Sequence, residues 1–304
     1  MSSMRNPRKW SSGGHALSIM SYNVLAQCYV RSSFFPYCDS KALRWKNRSQ
    51  LLKNQFAALP HRPDVICLQE CDQYETFWKD TMASMGYAGI YAQKTSAKQD
   101  GVAIFWQPDR LELLHSEHVH LKHAAANAID ADLGRRLLAR DNVGLVGQFQ
   151  STVDGAQIVV ATTHLFWDPK EADVKLAQTQ HMLAAIASFT ATRGGSVFFA
   201  GDFNSLPDSD VYKHITATYA SAYAAYAGGG EPAFTNCNGV NADGSPAFVG
   251  TLDYIFYDRA RVDVAGLAPL MSLAEATCEG ALPNRHVGSD HLPLLAEFVV
   301  KASS

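Results

Sequence analysis

The chain has no Cys-x-x-Cys pair, no Gly-x-Gly-x-x-Gly opening a helix after a strand, no Gly-x-x-x-x-Gly-Lys-Ser/Thr and no Gly-x-Ser-x-Gly. These absences remove, in turn, the paired-cysteine redox and zinc motifs, the dinucleotide cradle, the phosphate-binding loop and the nucleophile elbow of serine hydrolases. Neither sign of charge is in excess: a formal net charge of −3 over 304 residues excludes a broad basic surface that holds nucleic acid mainly by counterion release. Any such substrate is expected to be gripped locally, by metal and pocket. No window reaches the apolar length of a membrane span, no internal repeat is visible, and the polar start is followed by only a short apolar run. The expectation is no membrane association and a cytoplasmic location, with the nucleus as the alternative. Cys28, Cys38, Cys67, Cys71, Cys237 and Cys278 are expected to be reduced thiols.

What is present is the composition of a globular protein, 47% hydrophobic and 18% charged. Short apolar runs alternate with helical patterns, which points to a layered α/β architecture. The runs predict strands at 16–22, 65–69, 101–106, 143–150, 157–162, 197–200, 252–257 and 292–299. Helices are expected at 43–59, 74–85, 173–189 and 209–218. Residues 227–249, with Gly228-Gly229-Gly230 and Asn241-Ala242-Asp243-Gly244, hold too many turn formers for regular structure and read as a long functional loop. Residues 1–15 read as a flexible basic tail and 16–304 as a single catalytic domain.

The placement of polar residues is more telling than the elements. Asn23, Glu70, His164 and Asp202 each follow an apolar run, whereas Asp253, Asp290 and His291 each begin one. If all share a site, strands that end there lie beside strands that start there, so the sheets are mixed or antiparallel. In Gly201-Asp202-Phe203-Asn204, residues two apart in an extended segment point the same way. Asp202 and Asn204 then meet one phosphate or hydrated cation, with Gly201 permitting close backbone approach. The competing reading is an Asx-turn after a buried strand. Glu70, Asp202, Asp253 and Asp290 with Asn23 and Asn204 form an oxygen-donor set that suits Mg²⁺ or Mn²⁺ rather than zinc, and Mg²⁺ shares its shell with substrate phosphate. His164 or His291 stands ready to donate to phosphoryl oxygens or to be oriented by Asp253. The run His115, His118, His120, His123 lacks zinc-motif spacing and reads as a solvated strand. Trp167 and Phe248 lie near the acids in sequence, where either base stacking or core packing accounts for them.

Taken in order, Ser21-Tyr22-Asn23-Val24-Leu25-Ala26, Cys67-Leu68-Gln69-Glu70, Thr163-His164-Leu165-Phe166-Trp167-Asp168-Pro169, Gly201-Asp202-Phe203-Asn204-Ser205, Thr251-Leu252-Asp253-Tyr254 and Ser289-Asp290-His291-Leu292-Pro293 strongly resemble the endonuclease/exonuclease/phosphatase superfamily. Within it they resemble most the nuclease domain of CCR4-type deadenylases. The resemblance implies a four-layer sandwich of two packed mixed β-sheets flanked by helices, with the site at one rim. It implies Mg²⁺-dependent 3′-to-5′ removal of adenosines from poly(A) RNA by water attack, with two ions and release of 5′-AMP. By matching position, Asn23 and Glu70 serve one metal, while Asp202, Asn204 and His291 serve the second or the attacking water. Asp253 orients His291, His164 stabilises phosphoryl charge, and Asp290 supports the metal site. Pro169 and Phe248 match residues that sandwich the adenine, which Asn204 also touches. Relatives on this fold include phosphatases of NADP(H) and 2′-phosphodiesterases of 2′,5′-oligoadenylate, and loss of a ligand would leave an RNA-binding scaffold. The sequence contains no leucine-rich repeats, which connect the nuclease of a full CCR4 protein to its complex, so it gives no basis for docking into that assembly.

Overall fold

The computed structural model describes residues 14–59 and 61–301. Its strands are β1 (Gly14–Asn23), β2 (Val65–Gln69), β3 (Ala88–Gln93), β4 (Gly101–Trp106), β5 (Leu111–His120), β6 (Val143–Ser151), β7 (Gln157–His164), β8 (Ser196–Asp202), β9 (Ala220–Ser221), β10 (Asn236–Val240), β11 (Pro246–Gly250), β12 (Asp253–Tyr257), β13 (Val262–Leu267) and β14 (Leu294–Lys301). Its helices are α1 (Trp45–Ala57), α2 (Lys79–Ser84), α3 (Ala131–Leu138), α4 (Ala172–Arg193), α5 (Asp210–Thr216), α6 (Ala222–Ala225) and α7 (Leu273–Ala276). One six-stranded sheet runs β13-β14-β1-β2-β4-β3 and the other β5-β6-β7-β8-β12-β9. Both are mixed: β1 is parallel to β2 and β7 to β8, whereas β14 is antiparallel to β1 and β12 to β8.

Alternation along the strands builds the layers. Ile19, Val65, Cys67 and Ile104 of the first sheet meet Leu145, Val160, Phe198 and Ile255 of the second in a core between the sheets. Their neighbours Met20, Ile66, Leu68 and Phe105 face outward onto Leu52 and Phe56 of α1, with Trp78 and Met82. Val159, Ala161, Val197 and Phe199 likewise face Met182 and Ile186 of α4 and Val211 and Ile215 of α5. With period-2 strands covered on both faces, the result is helix, sheet, sheet, helix. Each fully buried Phe or Ile contributes roughly 1.5–3 kcal/mol to holding the layers together.

Several elements differ from the sequence reading. Residues 227–249 are not wholly irregular, because β10 and β11 form an antiparallel hairpin within that stretch. The turn formers close it: Asn241 N–H donates to Ser245 O and Gly244 takes φ +84°. β3, α3 and β13 also arise where no element was expected. The helix expected at 74–85 opens with a π turn over Tyr74–Trp78 before α2. Of the expected tail, residues 1–13 lie outside the described residues, while Gly14 and His15 already pair with Lys301 and Val300 in the first sheet. No helix among the described residues is long and apolar enough to cross a membrane. The six cysteines form no disulfide.

Candidate active site

Three strand ends of the second sheet bring three side chains into one row. β7 and β8 place His164 opposite Asp202, and β8 and β12 place Asp202 opposite Asp253. Cross-strand partners project from the same face, so hydrogen-bond register alone gathers them. Gly201 makes the register possible, because a Cβ there would lie 2.2 Å from the Thr163 carbonyl oxygen in β7. Its close approach is therefore to the neighbouring strand, not to a ligand as the sequence suggested. His291 arrives just before β14. Its Nδ1 shares a 2.8 Å hydrogen bond with Asp253 Oδ2, and its Nε2 stands 3.7 Å from Asp202 Oδ2. Thr235 fixes Asp253 from behind, donating to Oδ2 at 2.6 Å while accepting the Leu252 and Asp253 amides.

The first sheet contributes Asn23, the last residue of β1, and Glu70, which follows β2. Asn23 Nδ2–H donates to Glu70 Oε1 at 3.1 Å and to Asp202 Oδ2 at 2.8 Å, so one amide bridges the two sheets. Glu70 sits at φ +53°, a left-handed conformation that non-glycine residues adopt mainly where the surroundings dictate it. Its other oxygen accepts the Ala26 amide at 2.9 Å. Ser289 Oγ–H donates to the Asn23 carbonyl at 2.7 Å, which draws the Asp290-His291 segment to the same rim. Asn238 of β10 donates to Asp290 Oδ2 at 3.1 Å.

The segment after β8 departs from the extended geometry expected of it. Asn204 lies at φ +46° and its amide donates to Asp202 Oδ1 at 2.9 Å, an Asx-turn. The turn reading was therefore correct, and it coexists with a place for Asp202 in the cluster. Asn204 Nδ2 donates to Leu165 O, and Lys175 Nζ donates to Asn204 O at 2.7 Å.

Burial dominates the electrostatics. It raises Glu70, with the charge of Asp290 acting in the same direction, and it raises Asp202 despite the opposing pull of His291. Burial also drives His164 well below the ordinary histidine range, helped by the charges of Lys94 and His291. For His291 burial opposes protonation, but Asp253 and Asp202 together hold it well above that range. Two imidazoles thus flank the Asp202 carboxylate, burial pushing His164 toward the neutral form while the carboxylates pull His291 the other way. Asp202, Asp253 and His291 each present a donor atom within 4.8 Å of the others. Asp253 Oδ1, Asp290 Oδ1 and His164 Nδ1 are buried without a hydrogen-bond partner among the described residues. Unpartnered buried carboxylate oxygens are costly, and hard oxygen donors left free in this way fit a divalent cation such as Mg²⁺ or Mn²⁺.

Glu70, His164 and Asp290 form the floor of a cavity of about 710 Å³. Tyr29, Phe34, Phe166 and Trp167 supply aromatic walls, and Lys94, Lys98 and Arg140 supply positive charge. Trp167, 66% exposed, stands at the mouth. Pro169 is exposed and Phe248, in β11, is half-buried; neither lines this cavity. Phe248 packs instead over Gly250, where a Cβ would meet its ring at 2.8 Å. Sequence reasoning missed the basic groups. Lys94 Nζ pairs with buried Asp100 at 2.6 Å, and Tyr29 donates to the same carboxylate. Arg140 stacks 4.1 Å from the Phe166 ring centroid and pairs with Glu171. Their signal was only an isolated charge in each case. The histidine run agrees with its solvated reading: His115, His118 and His123 are exposed, and none contributes to a three-residue metal cluster among the described residues.

A two-sheet sandwich with amide, carboxylate and imidazole groups gathered at one rim defines a hydrolase of the nuclease and phosphatase class. The chain belongs to the Endonuclease/Exonuclease/phosphatase family, which it matches over residues 20–291. Enzymes of this family generally depend on divalent metal, in keeping with the buried Asp202–Asp253–His291 cluster. The chain is 35% identical over 340 residues to carbon catabolite repressor protein 4 homolog 4 of Arabidopsis thaliana, covering 95% of this chain and 78% of that protein. It is 28% identical to the CCR4-Not complex 3′-5′-exoribonuclease subunit Ccr4 of Candida albicans, covering 93% of this chain but only 41% of that relative's length. Among solved structures, ANGEL2, a 2′,3′-cyclic phosphatase in complex with adenosine-2′,3′-vanadate, superposes with a TM-score of 0.81 at 26% identity, covering 95% of this chain and 97% of that one. The human Nocturnin catalytic domain with bound sulfate gives 0.72 at 25% identity, covering 94% of each chain.

Proposed function

We propose that this protein is a Mg²⁺-dependent 3′-to-5′ exoribonuclease that shortens poly(A) tails and releases 5′-AMP. The observation that carries the reading is the meeting of Asn23, Glu70, Asp202, Asp253 and His291 in one cluster, beside a cavity that Glu70 lines together with His164 and Asp290 and that has aromatic and basic walls. That combination suits a polymer of phosphates and stacking bases. The likeness to an exoribonuclease subunit gives it further support.

Asn23 and Glu70 would hold one ion. Asp202, Asn204 and His291 would serve the second or the attacking water, with Asp290 supporting the site. Bound Mg²⁺ or Mn²⁺ supplies Lewis acidity toward phosphoryl oxygen and eases deprotonation of water. Asp253, held by Thr235, keeps His291 oriented through Nδ1. His164, kept neutral by burial, would donate an N–H to the phosphoryl oxygens as charge develops. Trp167 stands where a base can stack; Pro169 and Phe248 lie outside that cavity, so they would clasp the terminal adenine only if it binds beside the cavity rather than in it. The proposed substrate is single-stranded RNA with a 3′ poly(A) end, met in the cytoplasm or nucleus.

A second reading is supported by the likeness to ANGEL2: a phosphatase or 2′-phosphodiesterase using the same residues. The two separate when 5′-labelled RNA with a 3′ adenosine tail is incubated in Mg²⁺, in EDTA, and with Asp202→Ala. Parallel reactions use 2′,5′-oligoadenylate, NADP⁺ and RNA ending in a 2′,3′-cyclic phosphate. A metal-dependent ladder that slows at the tail boundary and vanishes in the variant is expected. An intact tail alongside turnover of one of the other substrates would overturn the exonuclease in favour of the second reading.

A further inference from the structure

Arg48, on α1, is fully buried, yet no described carboxylate lies within ion-pair distance of it. Its guanidinium is spent on the backbone. Nε–H donates to Gly288 O at 2.8 Å, and Nη2–H donates to Val24 O at 2.9 Å and Leu25 O at 2.5 Å. Nη1–H reaches the Gln27 side-chain oxygen at 2.9 Å. These acceptors lie on two segments far apart in sequence, one following Asn23 and one preceding Asp290 and His291. A rigid planar fork sets several acceptors at fixed separations, which a flexible ammonium does not.

The bonds continue directly to the candidate metal ligands. Leu25 takes φ +54°, a conformation that persists for a bulky residue only where its surroundings over-determine it. In that conformation the Leu25 carbonyl meets Arg48, the Leu25 amide donates to Asn23 Oδ1 at 3.0 Å, and the next amide, of Ala26, donates to Glu70 Oε2 at 2.9 Å. On the other segment, Gly288 packs so closely on α1 that a Cβ would stand 3.2 Å from the Arg48 carbonyl and 3.0 Å from Leu52. Ser289 then ties this segment to the Asn23 carbonyl.

We propose that Arg48 is a positioning residue of the active site: its fork locks the Asn23–Ala26 and Gly288–His291 segments together, so that Asn23, Glu70 and Asp290 are preorganised to bind divalent metal. The proposal rests on the metal reading of the site but not on the identity of the substrate.

The test measures Mg²⁺ and Mn²⁺ binding by calorimetry and by metal-induced shifts in Tm, without substrate. The variants are Arg48→Lys, Arg48→Met and Ser289→Ala, with Phe56→Leu as a packing control on the same helix. Arg48→Lys keeps the charge but loses the fork, and is expected to weaken metal binding about 10–100-fold, the range for residues that orient ligands. Ser289→Ala, which cuts the other tie without removing a charge, should shift affinity the same way. Phe56→Leu should lower Tm while leaving metal affinity within about twofold. In turnover assays, Arg48→Lys should raise the metal requirement and lower kcat with little change in substrate KM. Wild-type metal affinity in folded Arg48→Lys and Ser289→Ala would overturn the proposal. If neither Arg48 variant folds, Ser289→Ala decides it. If the wild-type protein binds no divalent metal, both the proposal and the metal reading fall.

Discussion

The two sheets deliver their chemical groups to the rim by different means. In the second sheet, His164, Asp202 and Asp253 are direct cross-strand partners, so the hydrogen-bond ladder that builds the sheet also assembles the row. In the first, the last pair between β1 and β2 is Asn23 with Gln69. Glu70 lies just beyond it in a left-handed turn, and the Asp290-His291 segment precedes β14. Glu70 is placed by amide bonds, and the Asp290-His291 segment by a short antiparallel bridge to Asn236, with Cys237 N–H donating to Asp290 O and Leu292 N–H to Thr235 O, together with hydroxyl and guanidinium bonds. One half of the site is therefore set by the register of a single sheet, while the other combines a loop bridge with side-chain tethers. Asn23 joins them, through its bonds to Glu70 and Asp202.

Substitutions can break this contrast at different points. The largest effect is expected where the halves meet: Asp202→Asn should lower phosphodiester hydrolysis by about a thousandfold or more. Initial rates on labelled RNA give the answer, and activity within tenfold of wild type would remove Asp202 from the centre of the account. Gly201→Ala strikes the ladder half alone. With a Cβ 2.2 Å from the Thr163 carbonyl, β7 and β8 must part, destabilising the fold by about 1–3 kcal/mol or more and abolishing activity. Urea unfolding that matched wild type would show that the register has slack.

Trp167 belongs to neither half. Trp167→Ala should raise KM for RNA by about 5–150-fold, the equivalent of losing about 1–3 kcal/mol of stacking, with kcat nearly unchanged. A kcat loss at constant KM would instead place Trp167 in the chemistry. The smallest effect is expected from Arg136, outside the site. Hydrogen bonds from Arg136 hold Asp132 and Asp173 below the ordinary value of 3.8. For a carboxylate lowered on folding, the stabilisation is present above the unfolded value and lost as pH falls through the folded one. Arg136→Met should therefore lower Tm slightly at pH 7, and the difference from wild type should begin to narrow as pH falls below about 4 and close once both carboxylates are protonated in the folded protein. A gap that did not narrow on acidification would assign the effect to packing.

How far each half could be read in advance follows from the same contrast. The ladder half was legible because His164 and Asp202 end apolar runs and Asp253 begins one, and their opposite polarity required mixed sheets. Asn23, Glu70, Asp290 and His291 were placed at the rim by the same pattern and by the family resemblance, but what holds them was not visible. The Arg48 fork reaches a carbonyl 240 positions away, and Thr235 stands 18 positions from Asp253. Periodicity carries no trace of such partners. Asn204 was left open between an extended segment and an Asx-turn because Asp202 ends a strand, and it is the turn that forms, taking the backbone left-handed at once. The β10–β11 hairpin was obscured by the glycines and asparagines that close it.

The most direct test of convergence on one metal site is a Mn²⁺ titration followed by electron paramagnetic resonance on the wild-type protein, Glu70→Gln and Asp202→Asn. Tight binding by the wild type, with at least one ion lost or greatly weakened in each variant, is the predicted result. Equal Mn²⁺ binding by all three proteins would contradict it, because neither the tethered carboxylate nor the ladder carboxylate would then hold metal.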